Sequence, residues 1–141
     1  MKKVLVINPE VAPIVRAKLA SKLDDGCSIT YVEDLIGGPD SETLVKEYIR
    51  ESDFLILIVG VGINSEPYDW VVKEATRIGK DIIVIYIGKE KCDVPAGVGA
   101  YAGSTINIES PRLQIVMQGG SVFETPDMQP APSKTVPRGE C

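Results

Sequence analysis

The chain contains no histidine. That absence excludes Ser-His-Asp and Cys-His nucleophile pairs and removes the commonest zinc ligand. Cysteine is scarce: Cys27, Cys92 and Cys141 are odd in number and far apart, so no disulfide framework and no metal site is expected. Cys27 reads as packing. No apolar run approaches the roughly 20 residues needed to cross a bilayer. The opening MKKVLVINPE is strand-like and too short for a signal peptide, so a cytoplasmic protein without membrane contacts is expected. Lysine and arginine form no long run in a chain of net charge −5, which argues against a nucleic-acid partner, because phosphate binding needs clustered cations. Any chemistry is left to carboxylates, hydroxyls, lysines and backbone amides.

What is present points to one α/β domain. The length of 141 residues, with 44% hydrophobic content, is enough for one core and too little for two ordinary ones. Phe54 to Val59 and Ile82 to Ile87 are continuous runs rich in Ile and Val, the pattern of strands buried on both faces. Between them, Val71, Val72, Ala75 and Ile78 recur at helical spacing over Pro67 to Ile78, and Gly79 supplies the stop. Further strands are expected over Lys3 to Ile7, Ser28 to Val32 and Ser104 to Ile108. Helices are expected over Ala12 to Asp24, with Ile14, Val15, Leu19 and Leu23 inward, and over Ser41 to Glu51, with Leu44, Val45, Tyr48 and Ile49 inward and Asp40 or Ser41 as cap. Repeated βα units favour a five-stranded parallel sheet of flavodoxin-like order 2-1-3-4-5, a three-layer sandwich. Ser110-Pro111 opens a short helix over Leu113 to Gln118 that Gly119 ends, although a hairpin through Gly119-Gly120 is a second option. The domain is expected to span residues 1–123. A tail from Glu124 to Cys141, with Pro126, Pro130, Pro132 and Pro137, reads as extended, or as lying along its own domain or a neighbouring subunit.

In such a sheet, ligands bind in the crevice beyond the carboxyl ends of the strands. Asn8, Pro9 and Glu10 follow the first strand, and Gly60 and Gly62 follow the third, where close backbone approach to a phosphate or ribose is useful. Trp70 and Glu74, four residues apart, share one helix face, and spacing places Glu74 near the helix start, facing the crevice. The plain alternative for Glu74 is an exposed ion pair with Arg77 at i+3, and for Trp70 it is core packing. Tyr68 either stacks on a ligand ring or faces water. Gly37, Gly38, Pro39 and Asp40 form a turn.

The segment DWVVKEATRIGKDIIVIYI resembles the third helix and following strand of TIR domains of the NAD-consuming kind, with tryptophan four residues before glutamate as the diagnostic part. VEDLIGGPDSETLVKEYIRESDFLILIVG and KKVLVINP extend the likeness upstream, so that it covers about Met1 to Glu109. The resemblance implies that Glu74 is catalytic, that Trp70 supports it, and that Gly37 to Asp40 form the BB loop used in assembly and pocket gating. It implies NAD as substrate rather than cofactor, homo-oligomerisation, and ADP-ribose or a cyclic or conjugated derivative as product. That product would signal to a downstream effector in defence, as in short bacterial anti-phage proteins such as those of Thoeris systems. The chain departs from the family at Ile7-Asn8-Pro9-Glu10 and at Tyr68, where many TIR domains have serine, and the likeness fades after Cys92.

Glu74 holding a ribose hydroxyl and stabilising the sugar cation as nicotinamide leaves is chemistry that needs no histidine. Two other readings stand beside it. One is a nucleoside deoxyribosyltransferase-like enzyme, whose fold also places a glutamate before a segment like EATRIGKDI. Glu74 would then attack the sugar covalently, although the usual Asp-Gly-Thr approach is absent. The other is a non-catalytic TIR-like assembly module.

Overall fold

A computed structural model describes residues 2–7, 13–23, 27–60, 68–90 and 103–130. Five strands, β1 (Lys2–Ile7), β2 (Cys27–Tyr31), β3 (Phe54–Val59), β4 (Ile82–Tyr86) and β5 (Ser104–Asn107), form one sheet in the order 2-1-3-4-5, with every pairing parallel. This is the flavodoxin-like arrangement. The helices are α1 (Pro13–Leu23), α2 (Ser41–Glu51), α3 (Asp69–Arg77) and the short α4 (Leu113–Met117), with a single 3-10 turn at Val32–Asp34.

The uninterrupted apolar strands follow from burial on both faces: all six residues of β3 and all five of β4 are buried. On one face Leu5, Ile7, Leu55, Leu57, Val84 and Tyr86 meet Val45 and Ile49 of α2 and Val71, Val72 and Ala75 of α3. On the other, Val4, Val6, Ile56, Ile58, Ile85 and Ile106 meet Leu19 and Leu23 of α1 and Leu113 and Val116 of α4. Alternate residues of each strand serve opposite layers.

The expected elements are all present, with ends shifted by a residue or two. Val32 leaves β2 to begin the 3-10 turn, and Pro67, the expected start of α3, lies outside the described residues. Two inward assignments are corrected. Ile14 is 73% exposed and Leu44 is 38% exposed, because each helix rests on the sheet through a stripe narrower than its apolar set. Asp40 stands at the N-cap of α2 but makes no side-chain capping bond. Gly79 ends α3 with φ at +79°, its N–H donating to the Thr76 carbonyl while that of Lys80 reaches Ala75, the expected glycine stop. Gly119 closes α4 in the same way, so the helix prevails over the hairpin.

The stretch that begins the expected tail is docked onto the sheet over its described part. The Thr105 N–H donates to the Val122 carbonyl and the Glu124 N–H donates to the Thr105 carbonyl, giving a parallel bridge between Thr105 and Phe123 outside β5. Glu124 is 1% exposed and Pro126 is buried. Residues 131–141 lie outside the described residues. Among the described residues no helix is long and apolar enough to cross a membrane.

Candidate functional site

Helix α3 leaves β3 at its carboxyl end and runs back across the sheet, its inner face set by Val71, Val72 and Ala75. Glu74 is the sixth of its nine residues rather than near its start, about 7.5 Å along the axis from Asp69 at the usual helical rise. Its two carboxylate oxygens are gripped by Arg77: Nε donates to Oε1 at 3.0 Å and Nη2 donates to Oε2 at 2.6 Å. The Glu74 side chain is 14% exposed and that of Arg77 is 68% exposed. The i+3 ion pair foreseen as the plain alternative is therefore formed. The Arg77 hydrogen bonds hold the Glu74 carboxyl below its ordinary titration range, and the positive charges of Arg77, Lys46 and Arg50 act in the same direction. The last two belong to α2, which packs against α3.

Trp70 lies one turn before Glu74, partly buried against the α2 and α3 layer of the core, and Tyr68 packs there too. Both pack against that layer, and Tyr68 is engaged in a further interaction. Gly60, at the end of β3, is buried. Asn8, Pro9, Glu10 and Gly62, the other positions proposed to line the crevice, lie outside the described residues. Gly37, Gly38, Pro39 and Asp40 form the exposed turn into α2; Gly37 has φ at +120°, and the Ser41 N–H reaches the Gly38 carbonyl at 3.3 Å. Of the proposed site, the described residues thus bring together Tyr68, Trp70 and Glu74 along α3, while Gly37 to Asp40 sit before α2.

Three polar groupings had no sequence signal strong enough to mark them. At the carboxyl end of β2, Arg16 of α1 bonds to Glu33 and Asp34 and stacks over the Tyr31 ring at 4.0 Å, which ties the turn after β2 to α1. At the carboxyl end of β5, the buried Asn107 amide donates to the carbonyls of Gly88 and Pro126 while its oxygen accepts the Glu109 N–H, so one side chain joins three segments. Beside it, Glu124 Oε2 accepts from Ser110 Oγ at 3.1 Å and pairs with Arg112 Nε at 3.3 Å, while Oε1 has no partner among the described residues. A groove of about 460 Å³ lies elsewhere, against β1, β2 and α2. Among the described residues no three metal-ligating side chains converge.

No protein-family model and no curated protein matches the chain. Among solved structures, a 2-deoxyribosyltransferase from the psychrotolerant bacterium Bacillus psychrosaccharolyticus is similar, with a TM-score of 0.56 and 13% identity over 73% of this chain and 84% of that one. At that identity the likeness is one of fold.

Proposed function

We propose that the protein is an enzyme of N-glycosidic bonds, of the nucleoside deoxyribosyltransferase-like kind, with Glu74 as its working carboxylate. The observation that carries this reading is the ionised Glu74 held by Arg77 on the helix after β3, in a fold similar to that of a solved 2-deoxyribosyltransferase. A carboxylate kept ionised is a nucleophile at neutral pH. In the proposed reaction one Glu74 oxygen attacks the anomeric carbon of a deoxynucleoside, and the bond from that carbon to the base nitrogen breaks. The base leaves with the bonding pair and takes up a proton, and a second base or water then displaces Glu74 from the sugar. Arg77, mostly exposed, turns aside to free the attacking oxygen.

Trp70 at i−4 to Glu74 favours a second reading, the NAD-cleaving chemistry of TIR type, with ADP-ribose or a derived signal as product. Incubating the protein with deoxynucleoside plus a second free base, and separately with NAD, distinguishes them by mass spectrometry. A new nucleoside that disappears in Glu74→Gln supports the first. Nicotinamide release with the same dependence supports the second, and turnover undiminished in Glu74→Gln overturns both.

A further inference from the structure

The two margins of the sheet are finished differently. Beyond β5, residues 122–124 of the same chain form a parallel bridge, and all four residues of β5 are buried. Beyond β2 no described strand pairs, and none of its five residues is buried. An open edge is usually blunted by charge, proline or a bulge. Cys27-Ser28-Ile29-Thr30-Tyr31 carries neither charge nor proline and keeps an unbroken register with β1.

The two faces of β2 differ in character. Ser28 and Thr30 lie on the side of α2, in the groove of about 460 Å³ that Leu44, Glu47, Tyr48 and Glu51 of that helix also line. Cys27, Ile29 and Tyr31 lie on the side of α1, partly buried against its apolar layer. Laid antiparallel on itself about a two-fold axis at Ile29, the strand sets hydroxyl opposite hydroxyl, Ser28 on Thr30, and apolar opposite apolar, Ile29 on Ile29 and Cys27 on Tyr31. No charge meets its like within the strand. Glu33 and Asp34, just beyond it, belong to the 3-10 turn and are already bonded to Arg16.

We propose that the β2 edge is a self-association surface, at which two copies of the chain join their sheets into one. The occupant is a second copy because a two-fold contact asks one surface to complement itself, and this strand does so in a register that uses all of its residues. Glu47 and Glu51 do not oppose it. Helix α2 packs on β1, and the two β1 strands of the joined sheet stand three spacings apart, about 14 Å. That exceeds the about 8 to 10 Å of packed helices, so the glutamates of both copies stay hydrated in the trough between them. A pairing this short buries less than a standard interface, and the dimer is therefore weak, with a Kd of about 10 to 100 µM.

Two double substitutions in the full chain test this. Ser28→Lys with Thr30→Lys sets like charges opposite one another across the axis and weakens dimerisation at least about tenfold in sedimentation equilibrium. Ser28→Lys with Thr30→Glu sets opposite charges there and keeps the dissociation constant within about threefold of the original. Both positions face the open groove, and circular dichroism of each variant checks that the fold is kept. In the unsubstituted chain, amide exchange of residues 27–31 slows as protein concentration rises. The proposal is overturned if that chain stays monomeric at about 500 µM, or if the two double variants dimerise alike. Exchange of residues 27–31 at one rate at every concentration also overturns it, that being the result expected when the edge is covered by its own chain or the dimer forms elsewhere.

Discussion

Glu74 and Arg77 make pH legible at one residue. The Arg77 hydrogen bonds favour the charged carboxylate, so the folded-state pKa of Glu74 lies below its ordinary value. The pair's contribution to stability is therefore present above the unfolded pKa and is lost as pH falls through the folded one. Arg77→Gln is expected to raise the Glu74 midpoint in a carboxyl-carbon NMR titration and to move the acid limb of any Glu74-dependent turnover to higher pH. An unmoved midpoint would remove Arg77 as the cause. Spacing alone foretold this partner, because i and i+3 neighbours meet on any helix. It was silent on Lys46 and Arg50, which reach Glu74's surroundings through helix packing. Glu124 shows the same limit: proline-rich surroundings suggested a tail, yet the side chain is buried with Ser110 and Arg112 as partners. Glu124→Ala should cost about 1 to 3 kcal/mol, measured by urea unfolding, by stranding those groups.

Among the elements, the strands and α3 were the easiest to foresee. Runs such as Phe54–Val59 allow no face to water, and Val71, Val72 and Ala75 mark a single helical stripe. Misassignment fell where apolar residues outnumber the contacts the sheet provides, at Ile14 and Leu44. The end of α3 depends on Gly79, whose φ of +79° strains any side chain. Gly79→Ala should lower stability by about 1 kcal/mol in thermal or chemical unfolding although the added methyl meets no neighbour, since the penalty is conformational.

For the whole molecule, alternation of strand and helix made the order 2-1-3-4-5 readable in advance, because right-handed crossovers leave few topologies. The bridge at Phe123 was not readable, since a pairing this short carries no periodicity. The candidate site was readable only along α3, where periodicity operates; Arg16, Asn107 and Glu124 are joined to their partners by tertiary packing. The two apolar layers are joined by the central strands, so Ile56→Ala, in the layer under α1 and α4, should cost about 2 to 5 kcal/mol in chemical denaturation.

Strand β1 lies between β2 and β3, pairing Leu5 with Thr30 on one side and with Leu55 on the other. A chain made from its amino end therefore emerges from the ribosome with β1 able to recruit one neighbour early but obliged to wait for the other until Val59 is synthesised. Until Phe54–Val59 is made, the side of β1 that bonds β3 has no partner strand of its own chain to claim it.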